Sequence, residues 1–178
     1  QIFDAGDVRL QCGETFHGLK LAYKTWGKLN ADKSNAILYP TSFGAKHFDI
    51  DWLIRAGAPL DPARYFIIIP NLFGNGLSSS PSNVAGALGA YAAKHFPLIT
   101  LSDNVHVQQR LLTEVFGIRK LAMVYGYSMG GQQALHWGAL YPDMVERICA
   151  ICATARTAPH TWVVFEGVKA ALTGDPAY

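Results

Sequence analysis

Cysteine, charge and long apolar runs are all scarce in this sequence. Its three cysteines are an odd number in a chain of 178 residues, and they do not make the disulfide framework of a small secreted domain. No apolar run approaches the roughly 20 residues that a membrane-spanning helix needs, and no signal-peptide pattern opens the chain. These absences predict a soluble protein of a reducing compartment, the cytoplasm, with no membrane partner.

Charged residues are few and evenly spread. They make up 16% of the chain, and 15 Lys and Arg against 13 Asp and Glu leave a net charge of +2. A nucleic-acid surface needs clustered basic residues, so no nucleic-acid partner is expected. Half of the residues are hydrophobic, which excludes disorder as the main state and provides for a sizeable core in a single domain.

Two of the cysteines, Cys149 and Cys152, are spaced as Cys-x-x-Cys inside an apolar run, residues 147–153. Such a run is typical of a buried strand, in which these two positions face opposite ways. The further ligands of a zinc site are missing nearby. We therefore predict two buried small hydrophobic residues and no metal site.

One serine stands among closely spaced glycines, in Gly126-Tyr127-Ser128-Met129-Gly130-Gly131. The apolar residues 121–125 before it predict a buried strand, and residues 132–141 after it predict a helix. The helix residues spaced for burial are Ala134, Leu135, Ala139 and Leu140. A Gly-x-Ser-x-Gly at a strand-to-helix turn is the nucleophile elbow, here residues 125–131.

The elbow would give Ser128 a chemical role. Its hydroxyl would project above the sheet at the positive end of a helix, and the backbone N–H of Met129 would point to where an oxyanion forms. The alternative is a glycine-rich turn that happens to contain serine. The strand before and the helix after favour the catalytic interpretation.

Strands and helices alternate along the chain. Residues 13–25 predict an antiparallel strand, whereas residues 1–12 show no clear period. The predicted buried strands are 36–39, 65–69, 121–125 and 145–153; the predicted helices begin at Ser102, at residue 132 and after Arg156. The loop 71–97 is expected to cover part of the active-site entrance. This order predicts the α/β-hydrolase fold, a mostly parallel sheet with helices on both faces.

A serine nucleophile needs a histidine base and an acid, which follow it in this fold. After Ser128 the chain has only His136 and His160. His136 lies eight residues along the same helix, roughly 12 Å of rise away, and His160 precedes any strand that could present an acid. We therefore predict that residues 1–178 are the amino-terminal part of one larger domain, with a lid starting at 156–178. Its acid and base would be missing from this chain or lie in a second chain.

These residues resemble the homoserine O-acetyltransferase family of α/β-hydrolase-fold enzymes. The resemblance runs in the family's order over nearly the whole chain. It is carried by residues 23–27, 71–74, 80–82, 96–101 with Asp103, 126–137 and 141–143.

The resemblance implies a two-step acyl transfer. Ser128 would take an acetyl group from acetyl-CoA, the co-substrate, and the hydroxyl of homoserine or a related small alcohol would then remove it. The oxyanion would be held by the backbone N–H groups of Met129 and Phe43. No permanently bound cofactor is implied, and a dimer is.

The chain departs from the family in two places. Residues 41–45 replace the usual His-Ala-Leu-Thr-Gly, and Ser102 and His106 replace arginines near Asp103. Because arginine is best suited to hold an acceptor carboxylate, two alternatives stay open. One is an esterase or other hydrolase that uses water, and the other is a binding module that retains the elbow.

Overall fold

The chain folds around a mixed β-sheet in a computed structural model that describes residues 1–84, 91 and 95–175. The strands are β1 (Ile2–Arg9), β2 (Thr15–Trp26), β3 (Ala36–Leu38), β4 (Phe66–Pro70), β5 (Met123–Tyr127) and β6 (Ile148–Ile151). The α-helices are α1 (His47–Ile50), α2 (Leu101–Arg110), α3 (Met129–Leu140) and α4 (Pro159–Thr173).

The predicted mostly parallel sheet is confirmed. In the described residues the strand order is β1-β2-β4-β3-β5-β6. β1 and β2 are antiparallel to their neighbours, whereas β4, β3, β5 and β6 run parallel to one another. Parallel strands align their carboxyl ends at one edge, which is where ligands bind in open α/β sheets.

The two central strands separate two apolar clusters. Leu38 and Ile68 face the larger cluster, which includes Trp137 of α3. Ile37 and Ile67 face the smaller cluster on the opposite side of the sheet. All five side chains are almost fully buried, and burial of this kind contributes about 1.5–3 kcal/mol per large side chain.

Most of the first twelve residues form a strand, β1, that the sequence pattern did not indicate. β1 pairs with β2, but its register shifts between Asp4 and Gly6 and again between Gly6 and Val8. Gly6 has φ 62°, which glycine adopts without strain. A β-bulge breaks the apolar–polar alternation, and that is why residues 1–12 showed no period.

Helix α2 begins earlier than predicted and ends differently. Thr100, not Ser102, is its N-cap, and Thr100 and Asp103 form a capping box. The apolar spacing of Leu111, Leu112 and Val115 predicts that all three face inward, but Val115 is 46% exposed. The five residues that follow α2, Leu111–Val115, form a π-helical turn, and this wider turn rotates Val115 away from the buried face.

The buried face of α3 also differs from the prediction. Ala134 is buried as expected, but Ala139 and Leu140 are exposed. The stripe that faces the protein is instead Gly130, Gly131, Gln133, Ala134 and Trp137. The prediction followed apolar residues alone and therefore missed a buried glutamine.

The prediction of two buried cysteines is wrong. Strand β6 is shorter than expected; Cys149 within it is half-buried, and Cys152 just beyond it is exposed. Ile148 and Ile151 are also exposed, by 41% and 38%. Within the described residues no further strand pairs with the outer edge of β6, so its side chains are less covered than those of a central strand.

The described part of the predicted long loop is closely bonded to the body of the protein. Ser78, Ser79 and Ser80 are buried, and the hydroxyls of Ser78 and Ser79 accept hydrogen bonds from the N–H groups of Ala22 and Lys20. These bonds place Ser78 and Ser79 beside β2, next to the part of that strand that pairs with β4. The rest of that loop, 85–90 and 92–94, lies outside the described residues.

Helix α4 begins at Pro159 and has no buried residue. Its large apolar side chains are exposed, among them Trp162, Phe165 and Val168. Among the helices that the structure describes, none combines the length and the apolar character that crossing a membrane requires. The proposed start of a lid at 156–178 stays a prediction, and residues 176–178 lie outside the described part.

Candidate active site

Ser128 occupies the sharp turn between β5 and α3. Its backbone has φ 53° and ψ −122°, a region that non-glycine residues rarely adopt and that costs about 1–3 kcal/mol. Its N–H donates to the carbonyl of Ile151 at 2.9 Å, and its carbonyl accepts from the N–H of Gln132 at 3.0 Å. These bonds hold the residue in the strained conformation that an elbow requires.

The glycines around Ser128 are required by close backbone contacts. A Cβ on Gly126 would overlap the carbonyl oxygen of Gly130, and a Cβ on Gly130 would lie 2.6 Å from the carbonyl oxygen of Pro40. A Cβ on Gly131 would lie 2.6 Å from the Cβ of Ala153. Helix α3 can therefore pack directly on the ends of β3 and β6 because these positions lack side chains.

The start of α3 favours negative charge. The first N–H groups of a helix have no partner within it, and the helix dipole adds about half a positive charge there. Met129 is the first residue of α3, so its N–H is one of these amides, and its role in holding an oxyanion beside Ser128 stays a prediction. Ser128 itself is half-buried.

Phe43 lies in a tight turn in which the N–H of Ala45 donates to the carbonyl of Ser42 at 3.0 Å. In the part of the chain that the structure describes, the Phe43 N–H makes no hydrogen bond, and the ring is 75% exposed. Phe43 and Met129 line the same cavity, of about 490 Å³. The structure thus brings together the two residues predicted to hold an oxyanion.

This cavity is lined by uncharged residues as far as the structure describes its walls. They are Phe43, Gly44, Leu72, Phe73, Gly74, Asn75, Ile99, Leu101, Asn104 and Met129. The side-chain amide of Asn104 is engaged at both ends, accepting at Oδ1 from the N–H of Phe73 at 3.1 Å and donating from Nδ2 to the carbonyl of Thr100 at 2.8 Å. The Asn104 amide therefore contributes less polarity to the cavity than a free side-chain amide would.

Ser102 and His106 lie outside this cavity. They line a different groove together with residues 7–11 of the β1 segment. The Nδ1 of His106 lies 2.6 Å from the carbonyl oxygen of Ser102. Asp103 between them is buried, and its carboxylate accepts from the N–H of Gln11 and from Thr100. Its role here is structural.

None of the described histidines serves Ser128. In the described residues no histidine forms a hydrogen bond with the Ser128 hydroxyl. The Nδ1 of His136 lies 3.1 Å from the carbonyl of Gln132 on its own helix, and His160 is exposed on α4. His47 contacts the amide of Asn71 at 3.2 Å. The general base predicted for this chemistry is not among these groups.

A buried tyrosine, Tyr39 directly after β3, and a partly buried one, Tyr125 on β5, lie close to the site. The rings of Tyr39 and Tyr125 meet edge to face at 4.8 Å. Burial raises the pKa of Tyr39 above its usual range, and the neighbouring Tyr125 raises it further. Burial likewise raises the pKa of Tyr125, with Cys149 adding to it. Both phenols are therefore neutral at physiological pH and cannot act as bases.

A buried polar network joins the elbow helix to the loop that carries Phe43. Gln133 donates from Nε2 to the carbonyl of Thr41 at 2.9 Å and accepts at Oε1 from Gln108 at 2.7 Å. Trp137 donates in turn to Gln108 at 2.9 Å. Sequence reasoning missed this network. Its one available signal was that Gln133 shares a helical stripe with Gly130 and Trp137.

The described residues contain no cluster of three or more His, Cys, Asp or Glu side chains that could hold a metal ion. The polar groups at the site are instead backbone amides and the Ser128 hydroxyl. An arrangement of this kind can stabilise charge on an acyl oxygen. Proton transfer would need a further group.

Similar proteins include esterases and homoserine acyltransferases. An ethyl acetate hydrolase from Pseudomonas veronii is 43% identical over 100% of this chain and 50% of its own length. A homoserine O-acetyltransferase from Zymomonas mobilis is 39% identical over 97% of this chain and 50% of its own length. The chain thus spans about half the length of these relatives.

Solved structures show the same pattern. The acetyl esterase MekB superposes with a TM-score of 0.95 at 43% identity, covering 99% of this chain and 51% of that one. A homoserine O-acetyltransferase from Bacillus anthracis superposes with a TM-score of 0.82 at 28% identity, covering 92% and 48%. The predicted resemblance to homoserine O-acetyltransferases is confirmed. The model of the α/β hydrolase fold family matches residues 36–172, and the chain belongs to that family.

Proposed function

We propose that the protein containing this chain is an esterase that hydrolyses short, uncharged esters through an acyl-enzyme on Ser128. The observation that carries this choice is the cavity beside Met129 and Phe43, whose described walls contain no charged side chain. Homoserine carries both an ammonium and a carboxylate group near neutral pH. Burying such charges without partners is costly, whereas an acetyl or small alkyl ester needs none.

The proposed chemistry has two halves. The Ser128 oxygen attacks the ester carbonyl carbon, and the resulting oxyanion accepts hydrogen bonds from the N–H groups of Met129 and Phe43. The C–O bond to the alcohol then breaks, and the alcohol leaves with the proton taken from Ser128 by a base. Water adds to the acyl-enzyme and releases the acid.

The base and its orienting acid are assigned to no residue of this chain. We propose that they come from the remainder of the protein or from a second chain that joins it. Support comes from the positions of the described histidines and from the chain's coverage of about half of its relatives. The dimer implied by the family resemblance belongs to the same proposal.

A second candidate is acetyl transfer from acetyl-CoA to homoserine or a related small alcohol. The specific observation in its favour is the similarity to the homoserine O-acetyltransferase from Zymomonas mobilis over 97% of this chain. In this version acetyl-CoA is the co-substrate and no cofactor stays bound. The two candidates share the first half-reaction and differ only in what removes the acyl group.

Labelling of Ser128 by a fluorophosphonate in the full-length protein tests the nucleophile. We expect mass spectrometry to find the label on Ser128, and Ser128→Ala to lose both the label and hydrolysis of ethyl acetate, by at least about a thousandfold. Ser102→Ala is the matched control because Ser102 lies outside the cavity. An unlabelled Ser128 in the wild-type protein would favour the binding module.

Acetyl-CoA then separates the two enzymatic candidates. The esterase proposal predicts that ethyl acetate is hydrolysed and that homoserine does not accelerate CoA release. Release of CoA that requires homoserine, with formation of an O-acetyl product, would establish the transferase instead.

A further inference from the structure

The loop that carries Phe43 is attached to the elbow helix by a single glutamine side chain. Gln133 is fully buried, and its Nε2 donates to the carbonyl of Thr41 at 2.9 Å. Thr41 lies two residues before Phe43. Among the described residues this is the only hydrogen bond between α3 and residues 39–46.

The other bonds of Thr41 lead elsewhere. Its N–H donates to the carbonyl of Pro70 at 3.3 Å, and its Oγ1 accepts from the N–H of Leu72 at 3.0 Å. Both partners belong to β4 and the segment after it. Those bonds fix the loop to the sheet. The hydrogen bond that joins the loop to α3 is the one from Gln133.

The position relative to α3 matters because the helix supplies the other oxyanion donor. Gln133 lies one helical turn after Met129. The contact of Gly130 with the carbonyl of Pro40 brings helix and loop together, but it sets only how closely they approach. A directional hydrogen bond also sets the orientation of the loop.

We propose that Gln133 is a positioning residue that holds the Phe43 N–H in register with the Met129 N–H, so that both can reach one oxyanion. This inference rests on the proposed function of Ser128. Gln108 accepts from Trp137 and donates to the Oε1 of Gln133, which leaves only the Nε2 side of the Gln133 amide to face Thr41.

Two matched substitutions separate positioning from simple stability. Gln133→Met and Gln108→Met each replace a fully buried glutamine by an apolar side chain of similar length, and each removes two hydrogen bonds of the network. Only Gln133→Met breaks the bond to Thr41. We expect both variants of the full-length protein to lose similar stability in thermal unfolding.

The expected difference is in transition-state binding. In Gln133→Met, kcat for ethyl acetate should fall by about ten- to a hundredfold, with KM little changed. The inhibition constant of a trifluoromethyl ketone, whose adduct carries the oxyanion, should rise by a similar factor. Gln108→Met keeps the bond from Gln133 to Thr41, so its values should stay much closer to those of the wild type than the values of Gln133→Met do.

Amide hydrogen exchange provides a readout that does not require turnover. Exchange over residues 41–45 should be faster in Gln133→Met than in Gln108→Met. Equal exchange in the two variants, or an equal loss of kcat, would overturn the inference. Failure of fluorophosphonate to label wild-type Ser128 would instead refute the proposed function, and the exchange comparison would still decide whether Gln133 holds the loop.

If Gln133→Met does not fold, Gln133→Glu replaces it. A carboxylate still accepts from Gln108 but has no proton to donate to Thr41, whereas the protonated acid restores the donor. The ratio of its kcat to that of the wild type should therefore rise as the pH is lowered. A ratio that stays low at every pH would contradict the role given to Gln133.

Discussion

Ser128 is held in a backbone conformation that its side chain disfavours. With φ 53° and ψ −122°, it lies in a region that glycine enters much more readily. Its N–H bond to Ile151 and the packing of the neighbouring glycines keep it there. Strain of this kind persists only where the surroundings enforce it, and it is common at catalytic residues.

Replacing Ser128 by glycine should therefore stabilise the protein while removing the nucleophile. We expect Ser128→Gly to raise the free energy of unfolding by about 1 kcal/mol, the strain released less the entropy cost of glycine. Ser128→Ala keeps the strained Cβ and should stay close to the wild type. Chemical denaturation of the three proteins measures the difference, and a glycine variant no more stable than the alanine variant would contradict it.

At the scale of elements, one buried carboxylate connects α2 to the segment that follows β1. Asp103 caps the helix through Thr100 and also accepts from the N–H of Gln11, which follows β1. Capping and a buried backbone partner each contribute to stability. The carboxylate thus fixes the helix to β1 as well as starting it.

Removal of that carboxylate should be costly. We expect Asp103→Ala to lower the free energy of unfolding by about 2 kcal/mol, because the Gln11 N–H and the helix start both lose a partner. Asp49→Ala, which removes the exposed capping-box acceptor of the short helix α1, is the control and should cost less than Asp103→Ala because it loses no second backbone partner. Equal shifts of the two denaturation midpoints would contradict this role.

The elements that could be predicted are those whose signals are local. The elbow was indicated by glycine spacing and by the apolar run before Ser128, and β5 ends directly before that serine. The bulge at Gly6 and the π-helical turn before Val115 break the periodicity on which such predictions depend. For that reason β1 was not predicted, and the exposure of Val115 was not expected.

The positioning network could not be predicted. Gln108 and Gln133 are 25 residues apart, and a glutamine in a helix is usually exposed. Only the packing of α2 against α3 makes the two side chains meet. The uncharged cavity could not be predicted for the same reason: Phe43, Asn104 and Met129, which line it, come from three different segments of the chain.

At the scale of the whole molecule, two of the described elements, β6 and α4, expose apolar side chains. Ile148 and Ile151 of β6 are partly exposed, and α4 presents Trp162, Phe165 and Val168, which are 61%, 49% and 62% exposed. Large apolar patches on a protein surface are usually covered by a partner or promote association.

Residues 1–178 expressed alone should therefore self-associate at micromolar concentrations. We expect Trp162→Lys combined with Phe165→Lys to shift the protein toward monomer in light scattering coupled to gel filtration. Trp52→Lys is the control, because Trp52 is 66% exposed but lies far along the chain from α4. A wild-type segment that is monomeric at these concentrations would refute the prediction.

The bond between the Ser128 N–H and the carbonyl of Ile151 has a consequence for assembly. Ile151 is the last residue of β6, whose outer side is open in the described residues. Any strand that joins β6 there will restrain the same peptide that holds the serine. The pairing of a further strand with β6 and the backbone position of Ser128 would then be coupled through one peptide group.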